Sequence, residues 1–176
     1  MKILHVIHDY LPDQVAGVEV YTNRIAHEQA RQHDGAVLLA QVSESSRSGE
    51  VHRSREGDIE LFSLIQNRRW TRFEQTWSDP DVEVGIATVL DEFRPDLVHV
   101  QHLMNVGIGL IRAARQRNVP IVMTLHDHWM ACASGGQRIR ADRQRCDVLD
   151  AERCCRCIVP QIPPMLSVPG AIRRPR

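Results

Sequence analysis

Residues 2–21, KILHVIHDYLPDQVAGVEVY, decide how this 176-residue chain folds. The apolar run at residues 3–7 has the length and composition of a strand buried on both faces of a parallel sheet. Pro12 and Gly17 end that run, and apolar side chains then recur every three or four residues, which predicts an amphipathic helix over residues 18–32. The helix would begin with unpaired N–H groups beside a glycine, an arrangement that favours an anionic or hydroxylated ligand.

The rest of the chain alternates predicted strands with predicted helices. The same criteria predict strands at 36–42, 59–64, 96–101 and 121–125, and helices at 78–93 and 108–117. Asp34-Gly35 is expected to be a turn, and the polar residues 43–57 are expected to form a surface loop. Strands that alternate with helices, without an internal repeat, indicate an α/β fold with a Rossmann-like, doubly wound, mostly parallel sheet.

A histidine and an aspartate, which can act in proton transfer and hydrogen bonding, follow the last predicted strand. His126 and Asp127 come directly after it, at the carboxyl edge where open α/β sheets bind ligands. A histidine titrates near neutral pH and can exchange a hydrogen bond with a hydroxyl or phosphate, and Asp127 can orient it. We predict both as catalytic residues; a histidine that only completes the end of a strand is the alternative. His8 is expected to line the same cleft, whereas His99, inside a strand, is expected to be structural.

Composition limits the partners of the chain. Lys plus Arg and Asp plus Glu each number 22, so the formal net charge is zero, which argues against a nucleic-acid partner. No apolar run approaches the ~18 residues of a membrane span, and the first run is too short for a signal peptide, so we expect a cytoplasmic protein.

Residues 67–77 interleave arginine with aromatic residues. They could contact an acceptor molecule, nucleic acid or, peripherally, a membrane, or simply bury their rings at the sheet edge.

The five cysteines lie between residues 132 and 157. Clustered thiols in a reducing compartment indicate metal binding before disulfides, and four thiolates suit a closed tetrahedral zinc site. We predict a structural zinc held by Cys132, Cys146, Cys154 and Cys157, with Cys155 as a spare thiol or an alternative ligand. Free thiols and an iron–sulfur cluster are the alternatives. The predicted organisation is a Rossmann-like domain at 1–130, a Cys-rich insert at 131–159, and a linker or frayed tail at 160–176.

Taken together, these motifs resemble the N-terminal domain of family 4 glycosyltransferases, which are retaining enzymes of the GT-B fold. The resemblance rests on residues 2–21, on the strand at 94–100 and on the run from Pro120 to Asp127, and it covers residues 1 to about 157. It includes a Cys-rich insert that some bacterial members carry.

The resemblance implies the transfer of a hexosyl group, with retention and without a catalytic metal, from a sugar nucleotide to a carbohydrate or lipid-linked acceptor. It places Gly17 against the donor phosphates and Glu19 beside the cleft, and it lets His126 bind the donor sugar with Asp127 in support. The substrate-binding residues expected on this basis are His8, Gly17, Glu19 and Tyr21.

Such enzymes hold the donor in a second, C-terminal domain, which this sequence lacks. We therefore expect a fragment or one part of a split enzyme, inactive until a donor domain is supplied in cis or in trans. An exposed sheet edge would also favour a homodimer. The alternatives are a non-catalytic, zinc-stabilised Rossmann-like binding module and an unrelated Rossmann-like nucleotide-binding or regulatory domain.

Overall fold

A computed structural model describes residues 1–68, 70–132, 134–140 and 143–158 of the chain. The chain divides into two compact units, the first at Met1–Thr124 and the second beginning at Leu125. The predicted tail at 160–176 lies outside the described residues.

The first unit is built on one six-stranded sheet with the strand order β3-β4-β2-β1-β5-β6. All neighbouring strands pair in parallel except β3 and β4, which are antiparallel. This mostly parallel α/β sheet confirms the predicted fold class. Its strands are β1 Lys2–Ile7, β2 Asp34–Gln41, β3 Val51–Glu56, β4 Ile59–Ile65, β5 Leu97–Val100 and β6 Ile121–Met123, and its helices are α1 Gly17–Ala30, α2 Pro80–Phe93 and α3 Gly109–Gln116, with a 3₁₀ turn at Phe73–Thr76.

The first strand is buried because it lies in the middle of the sheet. It pairs with β2 on one side and β5 on the other, and Leu4, Val6 and Ile7 have no exposed surface. A central parallel strand has both faces covered, which explains why its sequence is almost continuously apolar. Its central place also puts the residues that follow Ile7 in the middle of the sheet's carboxyl edge.

Helix α2 begins and ends as its sequence predicts. The Asp79 carboxylate accepts a hydrogen bond from the Asp81 N–H, and Pro80 occupies the first helical position. Arg94 ends the helix in the left-handed conformation at φ 51°. The aromatic residues just before this helix pack together, with the Phe73 and Trp77 rings 5.1 Å apart in an edge-on contact.

Two predictions in the first unit are wrong. Asp34-Gly35 is not a turn but the beginning of β2, where it pairs with Lys2 and Ile3. Within the predicted surface loop 43–57, Val51–Glu56 forms the edge strand β3. Most β3 side chains are exposed on both faces, so the strand shows no apolar alternation. Its hairpin partner begins after the two-residue turn Gly57-Asp58, with Gly57 at φ 59°.

The second unit contains more regular structure than its sequence indicates. Residues Ala151–Ile158 form a helix, α4, in a segment for which no period is apparent. The Asp150 carboxylate accepts a hydrogen bond from the Arg153 N–H and thereby caps this helix. Upstream, Ile139 and Arg145 form an isolated antiparallel bridge. No helix within the described ranges is long and apolar enough to cross a membrane.

Candidate functional site

A buried acid and a histidine meet at the carboxyl end of β1. His8 directly follows the strand, and Glu19 lies in the first turn of α1 with 3% of its surface exposed. Glu19 Oε1 is 3.5 Å from His8 Nε2, and Asp9 Oδ2 is 3.8 Å from the same nitrogen. The strand and the helix therefore converge on one polar pair at this edge of the sheet.

Each member of this pair also has one buried atom without a protein partner. His8 Nδ1 and Glu19 Oε2 are both inaccessible and accept no hydrogen bond from the described residues. A buried polar atom left unpaired costs about 1–3 kcal/mol, so native proteins seldom keep two at one place without a use. A carboxylate oxygen accepts from a hydroxyl, and an imidazole nitrogen can accept or donate. The pair is suited to hold a hydroxyl-bearing ligand or an ordered water.

The N-terminus of α1 beside this pair is open. Ala16 precedes the helix and provides no side-chain cap, so the first N–H groups are not satisfied by a capping side chain. A Cβ built on Gly17 would meet nothing within 4 Å. Tyr21 lies one turn further along the helix and is 41% exposed. Unpaired N–H groups and the positive end of the helix dipole suit a phosphate or another anion.

His102 belongs to the same edge, although the sequence analysis missed it. Its ring lies 4.5 Å from the His8 ring, and it is 5% exposed. The Met104 N–H donates to His102 Nδ1 at 3.0 Å, which places the proton of the neutral ring on Nε2. The available clue was topological, because His102 follows β5 just as His8 follows β1, and the two strands are neighbours in the sheet.

A second histidine pair lies deeper in the sheet. His5 is fully buried, with Nε2 2.9 Å from the Gln29 amide oxygen and Nδ1 3.4 Å from the Gln101 amide nitrogen. Burial, and then the neighbouring His99, lower the pKa of His5 to about 4. His99 Nε2 in turn lies 2.8 Å from the Thr124 hydroxyl. Burial therefore makes His5 a neutral core residue, and the contact with Thr124 is consistent with the predicted structural role of His99.

In the second unit, Asp127 holds a turn. Its Oδ1 accepts a hydrogen bond of 2.7 Å from the Trp129 N–H. Gly136, at φ 73°, packs so closely on this turn that a Cβ there would lie 2.8 Å from Trp129 N and 2.9 Å from Asp127 Cγ. His126 is half-buried and His128 is exposed. The structure does not test the predicted catalytic roles of His126 and Asp127, which stay predictions.

All four cysteines predicted to bind zinc line one cavity of about 450 Å³ in the second unit. None of them forms a disulfide in the described structure, and no three His, Cys, Asp or Glu side chains in the described part of the chain are grouped to hold a metal. The side chains as they stand do not form a preformed zinc site. The structure therefore brings the cysteines around one space without supporting the metal, and the zinc site stays a prediction.

The family model of the glycosyl transferase 4-like domain matches residues 16–156. The chain belongs to this family. The match includes Gly17, Glu19, the His126-Asp127 pair and three of the four predicted zinc ligands, Cys132, Cys146 and Cys154. It confirms the resemblance to family 4 glycosyltransferases that the motifs indicate. No curated protein sequence matches the chain significantly.

Two solved structures are similar at low identity. One is described as trehalose-6-phosphate from E. coli bound with UDP-2-fluoro glucose, with 12% identity over 72% of this chain and a TM-score of 0.48. The other is the trehalose-6-phosphate synthase OtsA, with 12% identity over 72% of this chain and a TM-score of 0.46. The matches cover 33% and 34% of those chains, so this glycosyltransferase-family chain spans about a third of their length.

Proposed function

We propose that this chain is the acceptor-side domain of a retaining glycosyltransferase. It receives a carbohydrate or lipid-linked acceptor and takes part in moving a hexosyl group to it from a sugar nucleotide. In this reaction the bond between the sugar C1 and the leaving diphosphate breaks, and a bond from C1 to the acceptor oxygen forms on the same face. The proton of the acceptor hydroxyl passes to the leaving phosphate, so no catalytic metal is required.

The buried pair His8 and Glu19 is the observation that carries this proposal. Two inaccessible polar atoms without protein partners, at the carboxyl edge of a parallel sheet, fit a ligand rich in hydroxyl groups. Glu19 Oε2 would accept from a sugar hydroxyl, and His8 Nδ1 would complete its hydrogen bonding. Because both atoms are inaccessible in the unliganded chain, the side chains must rotate to meet the ligand, while β1 and α1 hold their backbones in place.

Gly17 has a separate role in the proposal. The open space around it and the uncapped helix behind it let a phosphate approach the backbone N–H groups closely. We assign the donor diphosphate to this position. We assign His126 to the donor sugar and Asp127 to its support, on the basis of the family motif.

The completed enzyme requires a donor-binding domain, which we propose acts with this chain in cis or in trans. Without that domain we expect little turnover. We also propose that a zinc ion joins the four cysteines of the second unit, since they already line one cavity. The alternative function, a non-catalytic binding module, predicts the same ligand contacts with no transfer under any condition.

A single glycine variant tests the site. Gly17→Ala adds a methyl group into open space at a position where φ is not positive, so the fold should tolerate it, and alanine has the better helix propensity. The variant should unfold at the same or a slightly higher temperature. In the complex with a C-terminal GT-B donor domain, its Kd for UDP-glucose and other sugar nucleotides should rise roughly tenfold, because the methyl group prevents close phosphate approach.

The control is Ala16→Gly, which changes the neighbouring residue without adding an atom. It should bind sugar nucleotides as the parent chain does. Unchanged binding in Gly17→Ala would contradict the proposed donor position. If the completed protein binds sugar nucleotide and acceptor but releases no UDP and forms no product, the binding-module alternative is correct.

A further inference from the structure

The cavity in the second unit, which we call the arginine cavity, is lined by four arginines as well as four cysteines. All its lining residues lie between positions 131 and 157, so it belongs to one compact unit. Its volume of about 450 Å³ is within the usual range for a small-molecule site. The lining arginines are Arg138, Arg140, Arg153 and Arg156.

The charge of this cavity is unbalanced. Asp147 is the one acidic residue in the described lining, so four arginines against one aspartate leave a formal excess of three positive charges. Asp147 is itself engaged, because its Oδ1 lies 2.9 Å from Nε of Arg145, which is outside the lining. The whole chain has a formal net charge of zero, so this excess is a local segregation of charge. A concave positive surface concentrates anions.

Three of the arginines are positioned by backbone structure. Arg138 Nε donates to the Cys146 carbonyl at 3.0 Å, which fixes that guanidinium beside the antiparallel bridge. Arg153 and Arg156 are three residues apart on α4, so they lie on the same side of the helix. Arg156 pairs with Glu152 at 3.2 Å, but both side chains are more than half exposed, and such a pair contributes little. A dianionic ligand can compete with it.

The other part of the lining is apolar. Ile139, Val148 and Leu149 border the cavity, and each is more than 50% exposed. Guanidinium groups bind phosphate through paired N–H donors, while these three side chains offer uncovered aliphatic surface. The complementary ligand therefore carries a phosphate group on an apolar body.

We propose that the arginine cavity binds an organic phosphate, with the phosphate on Arg153 and Arg156 and an apolar group against Ile139, Val148 and Leu149. The lining of the cavity includes neither His8 nor Glu19, and the inference does not depend on the proposed glycosyltransferase activity. It concerns the guanidinium groups of the cavity, whereas the zinc proposal concerns its thiols.

Calorimetric titration of the full chain with phenyl phosphate tests the inference. The titration is run on the protein as purified and again after chelator treatment, so that phosphate binding to a metal is distinguished from binding to the guanidinium groups. We expect saturable binding that is several-fold tighter than for inorganic phosphate, because the ring covers apolar surface. The double variant Arg153→Gln/Arg156→Gln should weaken binding roughly tenfold or more, since its charge-assisted hydrogen bonds to the phosphate are lost.

Two further variants keep the result interpretable. Arg143→Asn removes one positive charge from the same segment outside the lining, at a residue with φ 62°, which asparagine tolerates. It should change binding less than twofold. Arg156→Lys keeps the charge and should retain part of the affinity. The inference is overturned by the absence of phenyl phosphate binding at millimolar concentration, by equal affinity for inorganic phosphate, or by an equal loss in Arg143→Asn.

Discussion

Glu19 Oε1 lies 3.5 Å from His8 Nε2, while Glu19 Oε2 and His8 Nδ1 are buried without a partner in the described structure. The two residues are eleven positions apart in sequence and meet because a central strand and the following helix converge at the sheet edge. Because only Oε1 of the Glu19 carboxylate contacts His8, Oε2 can accept a hydrogen bond from a ligand.

This relationship predicts the effect of Glu19→Gln. The amide has nearly the same shape, so the free energy of unfolding should change by less than about 1 kcal/mol. In the completed glycosyltransferase, kcat/KM should fall roughly ten- to a hundredfold, because the charge-assisted bond to a substrate hydroxyl is lost. The matched control is Glu28→Gln on the exposed part of the same helix, paired with Arg31. Equal activities in the two variants would refute a substrate contact of Glu19.

The predicted role of His126 can be tested against His128, a second histidine two residues further along the chain. His126→Ala should lower kcat of the completed enzyme roughly a hundredfold if the side chain contacts the reacting sugar. His128→Ala removes an exposed imidazole two residues away and should have little effect. Steady-state kinetics on both variants test this prediction. Full activity of the His126→Ala enzyme would contradict a catalytic role for His126.

Asp127 has a visible structural role, so two substitutions are needed. Asp127→Asn preserves an oxygen acceptor for the Trp129 N–H, whereas Asp127→Ala does not and should destabilise the second unit by about 1 kcal/mol. A supporting negative charge in catalysis predicts low activity in both variants. If Asp127→Asn keeps full activity with normal stability, the residue only holds the turn.

His5 should make stability depend on pH. Its pKa is about 4 in the folded protein and near 6.5 when unfolded, so the unfolded chain binds more protons between those values. This contribution to the free energy of unfolding is complete above pH 6.5 and is lost as the pH falls towards 4, by up to roughly 3 kcal/mol.

Urea unfolding at several pH values tests this dependence. His5→Gln should flatten the curve between pH 6.5 and 4 relative to the parent protein, after any constant loss of stability is subtracted. His52→Gln, which changes an exposed histidine on the edge strand, should leave the slope unaltered. Parallel curves for His5→Gln and the parent would show that His5 does not produce the slope.

The predictable part of the fold was the part that buries apolar surface. The run before His8 and the capped helix that begins at Pro80 have strong local patterns, and both form as predicted. Strand β3 has no such pattern because it is a charged edge strand, held by its hairpin and by the ion pair of Arg53 with Glu92 on α2. The sequence signal that could have indicated the β3–β4 hairpin is the turn dipeptide Gly57-Asp58.

The sequence names His8 and Glu19 as candidate site residues but does not reveal that their side chains meet. His8 and Glu19 could be named from the motif, but their contact depends on how α1 packs against β1. The sequence analysis missed His102 because this residue lies at the site only if β5 is the neighbour of β1, and the order of strands in the sheet is not visible in the sequence. Long-range neighbours of this kind are set by the tertiary fold and leave no local period.

The last prediction concerns the thiols around the arginine cavity. Zinc would have to draw four sulfur atoms to about 2.3 Å from one point, and the four cysteines are not grouped in this way in the described structure. Binding would therefore tighten the second unit and release protons from the thiols. We expect about one zinc per chain and one reactive thiol, Cys155, in protein purified without chelator. The Cys155→Ser variant should keep the metal, and the Cys154→Ser variant should lose it. Five reactive thiols and no metal in the parent protein would contradict the zinc prediction and leave only the proposed phosphate binding by the arginines of the cavity.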